Sequence, residues 1–228
     1  MKPEDRNALI TYLEQFITEK RLSRFKEVLT ARMGHMHVLL EDVFQGHNAA
    51  AVLRSCDCFG VQHVHFIQDR NQVKISDEIA LGSSNWLTLH KHIIQPDYDV
   101  KAILRKLKTD GFRIIATTPH ENEQVITDLN VDSKFVLVFG TELEGISDAV
   151  KEEADEFVKI PMYGFTESFN ISVSAALCMY ELSNKIRKHV PAYGLEAEEM
   201  KDVYLNWCIQ SVETGELLVE RWIKENKK

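Results

Sequence analysis

The sequence contains no long apolar run and few cysteines. No window approaches the ~18 apolar residues of a membrane-spanning helix, and the first ten residues, MKPEDRNALI, are too charged for a signal peptide. The four cysteines, Cys56, Cys58, Cys178 and Cys208, form neither a disulfide framework nor the paired CxxC spacing of a zinc site. We therefore expect a cytoplasmic protein with reduced cysteines and no membrane partner.

Motifs of the common α/β enzymes are also absent. No GxGxxG follows an apolar run and no GxxxxGKS/T occurs, so neither a Rossmann dinucleotide site nor a P-loop is indicated. Neither HExxH nor GxSxG is present, which argues against the zinc proteases and α/β-hydrolases that those motifs mark.

Three His-x-His pairs suggest a metal site, because alternate residues of a strand share one face. The pairs are His35/His37, His63/His65 and His90/His92. The carboxylates that would complete such a site have no fixed spacing to them. We expect no metal, with most of these histidines at the surface or packed within the sheet.

The formal net charge of −8 argues against nonspecific coating of nucleic acid, since phosphate contacts need clustered Lys and Arg. The charge is nevertheless segregated along the chain. Residues 20–32 carry one acid, Glu27, and five basic residues: Lys20, Arg21, Arg24, Lys26 and Arg32. A basic helix face at this place would either bind RNA or be a solvated surface.

Strands and helices alternate along most of the 228 residues. Asp97 or Asp99 starts one helix and Ser147 caps another. This alternation predicts an α/β fold with a mostly parallel central sheet, in which ligands gather at the carboxyl ends of strands. Predicted strands cover 37–43, 61–67, 87–92, 112–118, 135–140 and 157–162, and the loops of interest are 44–48, 117–122, 140–146 and 161–170.

The two ends of the chain are predicted to be helical. Residues 4–33 predict one helix ended by Gly34, and the segment after Pro191 predicts one or two amphipathic helices that pack on the core or on a second subunit. The chain therefore divides into an N-terminal helical arm, a central α/β domain and a C-terminal helical extension. These segments cover 1–35, 36–190 and 191–228.

The stretch from Lys159 to Leu182 joins a short apolar strand, a polar loop with one glycine and a helix that is apolar on nearly every side. The start of this helix holds more small polar groups than an N-cap needs. They are Thr166, Glu167, Ser168, Asn170, Ser172 and Ser174. Such groups either satisfy backbone hydrogen bonds or bind a ligand, and a helix N-terminus favours an anionic ligand group.

Three patches of the sequence resemble, in order, the motifs of the SpoU/TrmH family of RNA ribose 2′-O-methyltransferases. They are HNAAAVLRSCDCFGV, FVLVFGTELEGIS and IPMYGFTESFNISVSAALCMYEL, and we refer to them as the first, second and third motifs. The resemblance covers about residues 36–188. It implies a trefoil-knotted α/β fold, S-adenosylmethionine as methyl donor, no metal, and a homodimer with its active sites near the interface.

The flanks are similar to those of the TrmH branch, which methylates the guanosine at position 18 in the D-loop of tRNA. The features are the helical N-terminal arm, the GSSNW segment and the helical C-terminal tail. The alternatives are ribosomal RNA, another tRNA position, or a noncatalytic RNA-binding protein on the same fold. In the tRNA interpretation the arm binds RNA through Arg21, Arg24 and Lys26.

The resemblance also implies roles for single residues. Asn48, Arg54, Glu142, Ser168 and Asn170 would be catalytic, and Thr117, Gly140, Ile160 and Phe169 would bind the donor. Relatives mostly hold a smaller aliphatic residue at the position of Phe169, so its ring would stack on the adenine or narrow the pocket. Structural alternatives exist for single positions: Asn48 as the N-cap of a helix closed by Gly60, Ser168 or Asn170 as backbone partners, and Glu142 as a turn cap.

Methyl transfer to a ribose hydroxyl requires the loss of one proton and the alignment of two reactants. A guanidinium stays protonated, so Arg54 is a poor general base. We expect Arg54 instead to clamp the neighbouring phosphate and to donate a hydrogen bond to the developing alkoxide. Glu142 and Asn48 would hold Arg54 or its loop, and the proton would leave through water or the substrate phosphate.

Overall fold

The structure, a computed structural model, describes residues 3–43, 45–68, 82–95, 99–119, 124–141 and 144–226. The chain forms two compact units. The terminal unit joins Met1–Arg32 to Gly194–Lys228, and the sheet unit spans Met33–Tyr193. Within the described residues, no helix is long and apolar enough to cross a membrane.

The terminal unit is helical. Its helices are α1 (Pro3–Glu14), α2 (Glu19–Thr30), α7 (Ala197–Gln210) and α8 (Gly215–Asn226). The predicted single helix over 4–33 is wrong, because the chain breaks between α1 and α2. There the Thr18 Oγ1 accepts a hydrogen bond from the Arg21 N–H and caps α2.

The two ends of the chain pack on each other within this unit. Arg6 of α1 pairs with Glu198 and with Asp202, the latter at 2.6 Å. The Tyr204 hydroxyl donates to the Glu14 carboxylate at 2.7 Å. The C-terminal helices were expected on the core or on a second subunit; within the terminal unit they contact the N-terminal helices.

The sheet unit contains seven strands among its described residues, in the order β3-β2-β1-β6-β4-β7-β5. The strands are β1 (Met36–Glu41), β2 (His63–Gln68), β3 (Thr88–Ile93), β4 (Arg113–Thr117), β5 (Gln124–Val125), β6 (Phe135–Phe139) and β7 (Glu156–Lys159). Every recorded pair of neighbouring strands is parallel. The predicted α/β class with a mostly parallel sheet is confirmed.

Helices cover both faces of this sheet: α3 (Gly46–Phe59), α4 (Val100–Thr109), α5 (Asp148–Glu153) and α6 (Ile171–His189). Short 3₁₀ turns add Ser83–Trp86 and Ile126–Asp128. α3 and α6 share a core with inward residues such as Val38 of β1 and Val64 of β2. α4 and α5 form the opposite core with Leu39 and Val136. Alternate residues of one strand thus enter different cores, as the two-residue period of a strand requires.

Several predicted helix boundaries are confirmed by their caps. Asp99 accepts from the Ala102 N–H at 2.8 Å and starts α4. Ser147 accepts from the Val150 N–H at 3.2 Å and starts α5. Gly60 ends α3 in the left-handed conformation that glycine adopts without steric cost.

Five of the paired histidines form one cluster across β1, β2 and β3, which we call the histidine ladder. Its members are His37, His63, His65, His90 and His92, and its ring nitrogens lie 3.0–3.1 Å apart in the pairs 37–65, 63–90 and 65–92. Neighbouring rings also stack, with centroids 4.3 Å apart for His37–His63 and for His65–His90. Within the described residues, no group of three or more His, Cys, Asp or Glu side chains has the arrangement of a metal site.

Burial favours the neutral form of His37, His65 and His92. The pKa of His65 is lowered to about 2, mainly by burial and then by the neighbouring His90 and His92. The pKa of His37 is also well below its usual range, because the ring is buried and because it faces His63. A neutral imidazole has one N–H and one free nitrogen, so each ring can donate to one neighbour and accept from another.

Candidate functional site

The three motifs meet at the carboxyl edge of the sheet. The first motif follows β1, the second contains β6 and the loop after it, and the third follows β7. These strands and β4 are neighbours in the order β1-β6-β4-β7. In a parallel sheet their carboxyl ends point the same way, so the segments that leave them lie side by side.

Asn48 and Asn170 join the first motif to the third, and we call them the asparagine pair. The Asn170 side-chain amide donates to the Asn48 Oδ1 at 3.2 Å. Asn48 is 4% exposed and donates its own amide to the Gln45 Oε1 at 3.2 Å. The prediction that Asn48 caps α3 is wrong: the N-cap is Gln45, and Asn48 lies in the first turn with its side chain turned toward α6.

Asn170 has two functions at once. Its Oδ1 accepts hydrogen bonds from the Ser172 N–H at 2.9 Å and from the Ser172 hydroxyl at 2.6 Å, so it caps α6. Its amide nitrogen remains for Asn48. The side chain that begins the third-motif helix therefore also fixes that helix to the first motif.

The structure does not bring Arg54 or Ser168 to this pair. Arg54 is exposed on α3, six residues beyond Asn48, which is about 9 Å along the axis and on a different face. Ser168 lies in the exposed segment before α6. No hydrogen bond joins Arg54 or Ser168 to the asparagine pair within the described part of the chain. Glu142 lies outside the described residues.

A tight loop follows β6 within the second motif. The backbones of Thr141 and Gly145 exchange two hydrogen bonds, at 2.9 and 3.1 Å. A Cβ at Gly140 would lie 2.1 Å from the Gly145 carbonyl oxygen, so only glycine fits at position 140. Gly145 has φ +70, which glycine adopts freely. Gly140 and Gly145 therefore determine the backbone conformation at their two positions in this loop.

Three of the four predicted donor-binding residues lie at the ends of adjacent strands. Thr117 ends β4 and donates its hydroxyl to the Val138 carbonyl of β6 at 2.9 Å. Gly140 follows β6, and Ile160 follows β7 and packs partly into the core. Phe169 is farther along the third motif, before α6, with 42% of its surface exposed. The residues offer backbone polar groups and apolar side chains.

Two residues at this edge were missed from the sequence. Gln45 was taken as part of a turn, yet it is the hydrogen-bond acceptor for Asn48. Glu41 was read as an ordinary strand residue, yet its buried carboxylate accepts hydrogen bonds from Ser147. A signal for Glu41 was present, because an acid at the end of a strand rich in Val and Leu must find a partner.

Comparison with known proteins assigns the family. Residues 35–180 match the SpoU rRNA Methylase family. The tRNA (guanosine(18)-2′-O)-methyltransferase of Borreliella burgdorferi is 36% identical over 209 residues, covering 92% of this chain and 94% of the relative. The protein of the same name from Aquifex aeolicus is 32% identical over 204 residues, covering 88% of this chain and 94% of the relative.

A solved structure gives the same result. The crystal structure of the A. aeolicus TrmH/SpoU tRNA modifying enzyme superposes with a TM-score of 0.75 at 30% identity, covering 85% of this chain and 98% of the other. The resemblance drawn from the three motifs is thereby confirmed. The chain belongs to the SpoU rRNA Methylase family.

Proposed function

We propose that this protein transfers the methyl group of S-adenosylmethionine to the ribose 2′-OH of guanosine 18 in the D-loop of tRNA. The observation that carries the proposal is the length of the match to a relative of that name, 92% of this chain. A match of that length extends beyond residues 36–188 into the flanks of the chain. The assignment to the TrmH branch depended on the helical arm and tail in those flanks. We place the reaction in the cytoplasm.

The carboxyl edge fits the methyl donor. An adenine ring is flat and needs apolar faces and hydrogen bonds along one edge, and Ile160, Phe169 and the backbone at Gly140 offer both. When bound, the donor supplies a methyl group on a positively charged sulfur. The strand ends would hold the donor, and the Thr117 hydroxyl, bonded to Val138, would stabilise the β4–β6 end beside it.

The asparagine pair would position the two reactants. It joins the start of α3 to the start of α6, and so links the first motif to the third. Arg54 would clamp a phosphate beside the target ribose and donate to the oxygen as its proton leaves for water or phosphate. Ser168 would contact the nucleotide, and Glu142 would hold Arg54 or its loop.

We further propose a homodimer in which Arg54 of the partner subunit completes each site. Arg54 points to solvent and lies away from the asparagine pair of its own subunit. The neighbouring helix α6 exposes an apolar stripe at helical spacing, made of Val173, Leu177 and Tyr180, with Tyr180 60% exposed. Tyr180 also contacts Phe59 at the end of α3. A second copy of this chain would cover this stripe.

We also propose that the carboxyl half of the sheet unit forms the trefoil knot of the family. The chain leaves β6 on one side of β4, passes through α5 and returns as β7 on the other side, so this connection crosses over β4. The third motif then leads into α6, which packs against α3. A knotted path of this kind would bring the three motifs together.

The basic face of α2 is the proposed tRNA surface. Arg21, Arg24 and Lys26 are all exposed, and Arg24 has an acidic neighbour in Glu27, which lies 2.8 Å from it. Reversal of the three charges to Glu should lower tRNA affinity more than tenfold at low salt and reduce its salt dependence. Reversal of Lys101 and Arg105 on α4 is the control. Unchanged tRNA affinity would place the RNA surface elsewhere.

Labelled S-adenosylmethionine and unmodified tRNA transcript test the main proposal. The product is digested and the labelled nucleoside identified with its position. Label in 2′-O-methylguanosine at position 18, lost in a transcript with adenosine at that position, is the expected result. Label only in ribosomal RNA or at another tRNA position would change the target. Absence of donor binding in calorimetry would favour a noncatalytic RNA-binding protein.

A further inference from the structure

Glu41 is a buried acid at the carboxyl edge of the sheet. It is the last residue of β1, it is 4% exposed, and the first motif begins a few residues after it. Transfer of a carboxylate from water into such a place is costly unless hydrogen bonds replace its hydration. The partners of Glu41 therefore show what the residue holds in place.

Both carboxylate oxygens of Glu41 accept hydrogen bonds from Ser147. One oxygen accepts from the Ser147 N–H at 2.9 Å, and the other accepts from the Ser147 hydroxyl. The same hydroxyl oxygen accepts from the Val150 N–H and caps α5. Hydrogen bonds to a charged acceptor are about twice as strong as those between neutral groups.

Ser147 follows directly on the second-motif loop, 140–146. At its beginning this loop is fixed by Gly140 and by the Thr141–Gly145 backbone pair. At its end it is fixed by Glu41 through Ser147. β1 and β6 are neighbouring strands. The contact between Glu41 and Ser147 therefore connects the end of the second motif to β1, the strand that precedes the first motif.

We propose that Glu41 is a positioning residue for methyl transfer, which sets the second-motif loop against the first motif and so shapes the donor site around Gly140. The proposal rests on the function proposed above. Glu41 touches neither reactant and acts through Ser147. Its loss displaces the loop, and a misplacement of ~1 Å is enough to reduce a rate by about a hundredfold.

The test compares E41Q, S147A and D148N with the wild type. Glutamine keeps the shape of Glu41 but presents an amide N–H₂ to one of the two Ser147 donors. We expect E41Q to bind S-adenosylmethionine roughly ten- to a hundredfold more weakly by calorimetry. S147A removes one of the two bonds to Glu41, together with the cap of α5, and keeps the bond from the Ser147 N–H, so it should show a smaller loss of donor affinity. The double variant should be little worse than E41Q alone, because the two residues share one interaction.

Asp148 provides the matched control. It is an exposed acid beside Ser147 that pairs with Lys151, so D148N removes a charge without touching Glu41. D148N should bind the donor like the wild type. tRNA affinity, which depends on the terminal unit, should stay unchanged in all variants. If E41Q fails to fold, S147A alone still carries the test, since its hydroxyl is only half buried.

The outcomes separate the two proposals. Wild-type donor affinity in both E41Q and S147A would overturn the role of Glu41. Equal losses of donor affinity and tRNA affinity would also overturn it, because they would indicate a general structural defect. A wild-type protein that binds no donor would refute the proposed function itself, before any variant is compared.

Discussion

The histidine ladder and the asparagine pair are both side-chain hydrogen-bond networks in the sheet unit, and they differ in where they lie along the strands. The ladder lies within β1, β2 and β3, where each imidazole has another imidazole as neighbour. The asparagine pair lies beyond the strand ends, next to the exposed segment 163–170. Polar groups inside strands satisfy one another, whereas those at the carboxyl edge lie beside surface that a ligand can reach.

The largest effect should come from Arg54, which we propose completes the site at the carboxyl edge of the partner subunit. R54A should reduce methyl transfer roughly a hundred- to a thousandfold, the usual cost of one donor to a developing oxyanion. Donor affinity should remain, because the proposed role of Arg54 is to contact the substrate phosphate and ribose, not the donor. Single-turnover rates with tRNA and calorimetry with S-adenosylmethionine would measure both.

The control for R54A is R105A on α4. Arg105 is also an exposed arginine, and it pairs with Glu153 at 2.7 Å. R105A changes the net charge by the same amount and should leave both quantities unchanged. Full activity of R54A would show that the residue has been wrongly assigned.

The contribution of the histidine ladder to the free energy of unfolding should depend on pH, and that of the asparagine pair should not. The pKa of His65 is lowered in the folded state, so the unfolded chain takes up a proton first as pH falls through about 6.5. Stability is therefore fully present above pH 6.5 and is lost as pH falls from there toward 2. His65 alone should cost roughly 1.4 kcal/mol of unfolding free energy between pH 7.5 and 5.5. His37 and His92, whose pKa values are also lowered by burial, act in the same direction.

Urea unfolding at both pH values would measure this loss. H65Q should reduce the difference between them, because the glutamine has no proton to bind. H189Q, at an exposed position near the end of α6, should leave the difference unchanged. An equal pH dependence in the wild type and H65Q would show that the ladder does not set it.

A smaller effect should separate the two functions of Asn170. N170A loses both the cap and the bond to Asn48 and should cost about 1–2 kcal/mol of unfolding free energy. N170S keeps a capping oxygen but cannot reach Asn48, so it should recover most of the stability. If the bond positions the reactants, N170S should remain as inactive as N170A. Thermal unfolding would measure the stability and methyl transfer the activity. Recovery of both by N170S would mean that Asn170 acts only as a helix cap.

The parts of the fold that local chemistry decides could be predicted from the sequence. Asp99 and Ser147 were identified as caps because a short polar side chain before an apolar helical pattern has few other uses. The break at Thr18 was missed for the opposite reason. Apolar residues continue at helical spacing on both sides of it, from Phe16 and Ile17 to Leu22, and this pattern outweighed one threonine.

The contacts of the site depend on residues far apart in sequence. Asn48 has the propensity of a cap, but its partner Asn170 lies 122 residues away. No local sequence pattern predicts the contact between them. Glu41 and Ser147 are likewise separated by 106 residues. The three motifs could be found because their residues are contiguous, and their mutual geometry could not, because it depends on the order of the strands.

The smallest effect concerns Phe169, where the resemblance predicts a smaller aliphatic residue. F169L should weaken S-adenosylmethionine binding roughly three- to tenfold, the value of one aromatic contact, if the ring stacks on the adenine. F169Y should bind like the wild type, and F165L, which shortens a fully exposed ring in the same segment, should have no effect. Tighter binding by F169L would mean that the ring narrows the pocket instead of stacking. Calorimetry distinguishes the two, and a change of the same size in F165L would show that the whole segment 163–170, not Phe169, governs donor affinity.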